Sequence, residues 1–187
     1  MAKRFFINST PLAGLKRIDR QRIGDERGFL SRFFCADELA EAGFTRPIVQ
    51  INQTLTRQRG TIRGMHFQQP PHAEDKFVSV LKGEVLDVAV DLRVDSKTLL
   101  QWHCERLSAE NGRSLFIPAG FAHGFQTLTD DCELLYLHTA AYAPGAEGGL
   151  NALDPTLGIT WPLEVTDMSA RDRAHPWLDA NYKGIAE

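Results

Sequence analysis

The chain has 187 residues, enough for one domain, with or without added arms, and for a sizeable buried core. Its formal net charge of −3 gives no chain-wide attraction to phosphate backbones, which argues against a nucleic-acid partner while leaving room for a small anionic ligand near local basic clusters such as residues 57–63. With 43% hydrophobic and 24% charged residues and no apolar run of membrane-spanning length, the composition is that of an ordinary globular protein and excludes a bilayer-spanning helix.

The first ten residues, MAKRFFINST, lack the apolar segment and cleavage site of a secretory leader, so the expected location is cytoplasmic. Phe5 to Ile7 and Leu15 to Ile18 read as short strands, and Phe29 to Cys35 as a third after the turn-prone GDERG. Ala36 to Gly43 has helix formers closed by a glycine and reads as a short peripheral helix. From Ile48 onward strands recur every ~8–12 residues, the spacing of an antiparallel sandwich or barrel. They run Ile48 to Thr56, Thr61 to Gln68, Phe77 to Lys82, Val85 to Leu92, Trp102 to Leu107, Ser114 to Ile117, His123 to Leu128 and Glu133 to Tyr142.

The expected fold is therefore all-β, a jelly-roll barrel, which the histidine motif and the resemblance given below make a cupin-type double-stranded β-helix. It has an N-terminal β extension over about residues 1–47, a barrel over about 48–142 and a C-terminal segment over about 143–187, all in a single domain with short peripheral helices. In Val85 to Leu92 the apolar residues Leu86, Val88, Val90 and Leu92 share one face. Asp87 and Asp91 share the other with Ala89, which predicts one packed face and one able to line a polar cavity. Beyond Tyr142 the chain is rich in loops until Ser169 to Asp172, which can open a short helix. Cys35, Cys104 and Cys132 are widely spaced in apolar surroundings, as suits buried free thiols.

Two stretches carry a histidine beside a glycine within an apolar run: TIRGMHFQ, with His66, and IPAGFAHGF, with His123. The Pro-x-Gly-x-x-His spacing of the second makes a tight turn and then aims a histidine inward from the next strand. With Lys76, with Tyr136 and His138 on one face of a strand, and with Asp172, these residues suit carbon-acid chemistry. Proton removal next to a ketone needs a base such as histidine, a cation at the carbonyl oxygen, and an acid on the far side if configuration is to invert. Asp172 is suited to orient the histidine. Taken singly, each has a plainer reading: core histidines, a solvated lysine at a strand edge, a core tyrosine, a carboxylate at a helix N-terminus. A cupin metal site takes a His-x-His pair, but here the second imidazole is replaced by Gln68. His72 and Glu74, from a proline-rich loop, would have to complete the set with His123, so no metal is expected.

DERGF at Asp25, QIN at Gln50, GTIRGMHFQQPPHAEDK from Gly60, DVAVDLR at Asp87, IPAGFAHGF at Ile117, LLYLHTAAYAP at Leu134, LDPTLGITWP at Leu153 and SARD at Ser169 follow one another in order over nearly the whole chain. In this the sequence resembles the dTDP-4-dehydrorhamnose 3,5-epimerase family. The resemblance implies a jelly roll that works without metal or other cofactor, commonly as a homodimer with exchanged N-terminal strands, on a nucleotide-sugar substrate that is dTDP-linked. It implies His66 as base, Asp172 as its carboxylate partner, Lys76 at the enolate oxygen and Tyr136 as the acid, with Tyr142 as the competing assignment. Arg27, Phe29, Gln50, Asn52, Arg63, His123 and Tyr142 match positions that bind the substrate or line the pocket. Two positions depart from the family pattern: Arg32 stands where many members have a glutamate that helps hold the nucleotide, and Leu153 where an aromatic often precedes the Asp-Pro. The implied reaction is epimerisation at C3 and C5 of a 4-keto-6-deoxyhexose. Epimerisation at C3 alone, another nucleotide, and a non-catalytic sugar-binding cupin stand as alternatives.

Overall fold

The structure, a computed structural model, describes residues 3–186. Its strands are β1 (Phe5–Ser9), β2 (Lys16–Arg20), β3 (Arg22–Asp25), β4 (Gly28–Ser31), β5 (Gln50–Thr56), β6 (Ile62–Gln68), β7 (Lys76–Lys82), β8 (Glu84–Asp91), β9 (Trp102–Ser108), β10 (Arg113–Ile117), β11 (Phe121–Thr127), β12 (Cys132–His138) and β13 (Glu147–Gly149). Among the described residues two α-helices interrupt them, α1 (Ala36–Ala40) and α2 (Ala170–Arg173), with one 3-10 turn at Pro144–Ala146. The strands form one sheet in the order β1-β2-β10-β7-β12-β5, a second in the order β13-β6-β11-β8-β9, and a separate β3-β4 hairpin. This is the expected all-β cupin-type jelly roll.

Alternation along the strands divides the apolar residues into three layers. Val78, Val80, Leu115, Ile117 and Leu134 of the first sheet meet Val85, Ala89, Leu107, Phe121 and Phe125 of the second in the sandwich interior. On the outer side of the second sheet, Leu86, Val88 and Val90 pack under the C-terminal segment through Leu150, Ala152, Leu157 and Met168. On the outer side of the first, Phe77, Phe116 and Leu137 pack against Leu39, Ala42 and Phe44. Both faces of β8 are therefore buried. Asp91 is enclosed by Arg93, Ser96 and Thr98 rather than lining a cavity, and Asp87 is bound by His123.

Several expected boundaries move. The strand expected over Phe29 to Cys35 ends at Ser31, and the one expected over Glu133 to Tyr142 ends at His138. The helix expected over Ala36 to Gly43 ends at Ala40; it lies on the outer side of the first sheet, anchored there by the fully buried Leu39 beside Phe44. Among the cysteines only Cys132 is buried; Cys35 and Cys104 are half-buried, and all three are free thiols.

One close approach sets the frame of the site. Strands β6 and β11 pair with His66 opposite His123, and the register shifts between His123 and Phe125. There Gly64, at φ +122°, lies so near β11 that a Cβ on it would stand 2.6 Å from Gly124 Cα and 2.8 Å from the His123 carbonyl oxygen. A Cβ on Gly124 would in turn meet the Arg63 carbonyl oxygen at 2.8 Å. Only glycine at both positions lets the strands close, and the irregularity re-aims the side chains around it.

Candidate active site

The mouth of the sandwich holds a cavity of about 270 Å³. Its walls come from the two sheets: Arg63, His66 and Gln68 of β6 with His123 and Phe125 of β11 on one side, and Asn52 and Thr54 of β5, Lys76 of β7 and Tyr136 and His138 of β12 on the other. Glu74, Tyr142, Glu147 and Arg171 complete the lining.

His66 and Asp172 form a pair, with Nε2 2.8 Å from Oδ1. The carboxylate stands in the first turn of α2, where the Ser169 hydroxyl, as N-cap, accepts the Asp172 N–H at 3.0 Å. Its other oxygen accepts the Gly64 N–H at 3.2 Å. Asp172 thus stands at once in the first turn of a helix and against the His66 ring. Burial opposes ionisation, but the hydrogen bond and charge of His66, with the Gly64 and Ser169 bonds, hold the carboxyl down to about 2. An ionised Asp172 accepts from Nε2, which leaves the lone pair of a neutral His66 ring on Nδ1.

Tyr136 is buried on the facing sheet, its ring edge-on to His123 at 6.0 Å and parallel to His138 at 5.9 Å. Burial raises its phenol well above the ordinary value and the charge of Asp87 adds to this; Thr54 and Arg63 offset only part. The phenol therefore keeps its proton until something strongly basic takes it. Lys76 is only 8% exposed, with Nζ 3.3 Å from Glu74 Oε1 and 3.5 Å from the His66 carbonyl oxygen. Glu74 also binds His138 Nδ1 at 2.9 Å, and although burial opposes it, the His138 and Lys76 contacts hold its carboxyl below the usual range. His123 Nε2 lies 3.0 Å from each oxygen of the fully buried Asp87.

Of the residues expected at the site, His66, Lys76, Tyr136, Asn52, Arg63, His123 and Tyr142 line this cavity, with Asp172 directly behind His66. Gln50 stands one step back, donating to Asn52 Oδ1 at 3.2 Å and accepting the Tyr142 N–H at 3.0 Å. Tyr142 is half exposed and donates its phenol to Glu147 at 2.8 Å, which raises its pKa. Arg27 and Phe29 are not brought to this cavity. They sit on the β3-β4 hairpin, Arg27 exposed and paired with Asp25, Phe29 stacked under Arg22.

Glu147, Arg171 and His175 went unread in the sequence. Arg171 binds Glu147 at 2.9 Å and brings Nη2 to 3.3 Å from His66 Nε2. His175 packs edge-on to His66 at 5.9 Å, over the backbone of Gly149, where a side chain would collide with its ring. Burial, and the charge of His66 after it, lower the His175 pKa. The one available signal was the i, i+3 spacing of His175 from Asp172.

The residues weighed for a cupin metal do not fit one. Gln68, at the second imidazole's place, is spent on backbone, binding the His72 and Ala141 carbonyls and the Ala143 N–H. His123 is spent on Asp87, and His72 is exposed.

Fold and cavity together define a cupin-type isomerase whose cavity sets a histidine–carboxylate pair and a buried phenol on opposing sheets, a class of site able to move a proton on carbon. The chain belongs to the dTDP-4-dehydrorhamnose 3,5-epimerase family, whose sequence profile matches residues 9–180. It is 43% identical over 190 residues to the dTDP-4-dehydrorhamnose 3,5-epimerase of Methanothermobacter thermautotrophicus, covering 100% of this chain and 97% of that one. It superposes with a TM-score of 0.90, at 40% identity, on the dTDP-6-deoxy-D-glucose-3,5-epimerase of Legionella pneumophila solved in complex with dTDP-4-keto-L-rhamnose, covering 98% of this chain and 99% of that one. It is 36% identical over 156 residues to a dTDP-4-dehydro-6-deoxyglucose 3-epimerase of Streptomyces bikiniensis, covering 82% of this chain and 79% of that one.

Proposed function

We propose that this protein epimerises dTDP-4-dehydro-6-deoxyglucose at C3 and C5, giving dTDP-4-dehydrorhamnose. The observation that carries the reading is the placement of the His66–Asp172 pair and of Tyr136 on facing sheets of one cavity, with Lys76 on its wall. C3 and C5 both flank the C4 ketone, so each hydrogen is acidified by the same carbonyl. His66 takes the proton through Nδ1, its positive charge balanced by Asp172. The electron pair moves to the C4 oxygen, where the Lys76 ammonium stabilises the enolate. Tyr136 then donates its proton to the carbon from the opposite side, and the phenolate and imidazolium return to their starting states by exchange with solvent. Asn52, Arg63, His123 and Gln50 serve in holding the nucleotide-sugar, the guanidinium suited to its diphosphate.

Incubation with dTDP-4-dehydro-6-deoxyglucose in deuterated water, followed by NMR of the sugar, tests this. The reading expects deuterium at both C3 and C5. Deuterium at C3 alone selects the second reading, a 3-epimerase, which the Streptomyces bikiniensis relative favours. No deuterium at either carbon overturns both.

The protein is read as a cytoplasmic homodimer in which all three segments, about 1–47, 48–142 and 143–187, act as one domain. Ile23, Phe29 and Leu30 stand exposed on the β3-β4 hairpin, and Ile51 and Leu55 on β5, the unpaired edge of the first sheet. A second chain would cover both, exchanging N-terminal strands and carrying Arg27 and Phe29 toward the partner's pocket. Light scattering at micromolar concentration checks it; a fully active monomer refutes it. Among the described residues no helix is long and apolar enough to cross a membrane.

A further inference from the structure

The His175 imidazole has no part in the proton transfers above, yet it is held against the base. Its Nε2 is buried without a hydrogen-bond partner and lies 4.0 Å from Asp172 Oδ1. His66 Nε2 approaches the same oxygen from the other side at 2.8 Å. All three ligand atoms fall within 4.8 Å of one another, and among the described residues this is the only group of three or more such side chains that converges in this way.

Two imidazoles and a carboxylate are a ligand set for a borderline divalent cation. Metal–ligand distances of about 2.0–2.2 Å put neighbouring donors on a tetrahedral ion roughly 3.3–3.5 Å apart. The two observed separations, 2.8 and 4.0 Å, lie on either side of that value, so a small rotation of each ring closes the site. The position already attracts a cation: the Arg171 guanidinium, on a half-exposed side chain that also pairs with Glu147, lies 3.7 Å from Asp172 Oδ1 and 3.3 Å from His66 Nε2.

We infer that His66, Asp172 and His175 form an inhibitory site for zinc or a cation like it, distinct from any cofactor role. With zinc on Nε2, the ring proton of His66 shifts to Nδ1, and the lone pair that would take the substrate's proton is gone. The ion displaces Arg171, and its fourth position is left to water. The site rests on the ligand geometry, so it can be read whether or not the protein turns over the proposed sugar.

The test titrates the metal-free protein with Co²⁺ and Zn²⁺, following the visible absorption of bound cobalt and, separately, turnover against zinc concentration. The expected result is one tetrahedral cobalt per chain and reversible inhibition by zinc. His175→Asn should raise the inhibitory zinc concentration at least about tenfold and abolish the cobalt spectrum, because it removes one of three protein ligands. Inhibition unchanged by His175→Asn, or zinc bound without inhibiting, overturns the inference. Should His175→Asn fail to fold, Arg171→Ala decides: loss of the competing guanidinium must strengthen cobalt and zinc binding several-fold, and unchanged or weaker binding overturns it.

Discussion

Asp172→Asn isolates charge from shape at the base. The amide carbonyl can still accept the Gly64 N–H, but the amide nitrogen then faces His66 Nε2, where a carboxylate oxygen stood at 2.8 Å. The depression of the carboxyl from 3.8 to about 2 corresponds to on the order of 2–3 kcal/mol of preference for the charged form, shared among His66, Gly64 and Ser169. Assigning about half of that to His66 and discounting again for screening through the open mouth leaves ~1 kcal/mol lost from the imidazolium. The amide also forces Nε2 to become the acceptor, moving the ring proton to Nδ1, and restoring the productive tautomer costs a further ~2–3 kcal/mol in opposed donors. Together these predict a fall of about 10²–10³-fold in the rate of substrate deuterium exchange with little change in nucleotide affinity. Exchange measured by NMR, with calorimetry of nucleotide binding as the control, checks it. Exchange within about threefold of wild type would refute the assignment of charge and tautomer to Asp172.

His66→Ala should remove exchange and inversion together, by at least the ~10²–10⁴-fold that a general base contributes, while circular dichroism and nucleotide binding stay near wild type; exchange near the wild-type rate sinks the role. Tyr136→Phe should spare deuterium exchange and depress inverted product far more, since His66 can return a proton to the face it came from; equal loss of both makes Tyr142 the next candidate. Prolonged chelation should leave turnover intact, because His66, Lys76 and Tyr136 supply base, cation and acid; activity that disappears and returns only with added iron or zinc contradicts that. Asp91→Asn bears on stability: its folded pKa is depressed to about 2 against an ordinary 3.8, burial opposing and Arg93, Ser96 and Thr98 outweighing it, so the stabilisation is present above about pH 4 and is lost as pH falls toward 2. Urea unfolding should show a wild-type advantage of about 1–2 kcal/mol at pH 7 that shrinks below pH 3, and a gap unchanged by pH would contradict it.

The barrel strands were legible because both of their faces carry information: apolar alternation repeats every few residues, and glycine or proline punctuates it. Strand β3 escaped because all four of its residues, Arg22 to Asp25, are exposed, so nothing in its pattern marks a buried face. Strand β13, Glu147–Gly149, escaped for a different reason. It is Glu-Gly-Gly, and it pairs with β6 because glycine leaves room for the rings of Phe67 and His175. At the site, His66, His123 and Gln68 could be read from motif spacing, whereas the roles of Lys76, Tyr136 and Asp172 came from family resemblance. Nothing local joins Asp172 to a histidine 106 positions away. The Glu74–His138 contact and the approach of His175 are likewise products of the tertiary fold.

The two walls of the cavity belong to different sheets, and no strand pairing among the described residues ties one to the other. The gap between His66 and Tyr136 is therefore set by the side chains wedged between the sheets, Val80, Leu115, Phe125 and Leu134 among them. Those residues act as the spacer of a caliper whose jaws carry the two proton-transfer groups. Shaving a methyl or two from the spacer would let the jaws drift by fractions of an ångström, enough to spoil transfer across the gap while leaving each jaw chemically whole. The aliphatic interior of this protein thus sets a reaction distance as well as a stability.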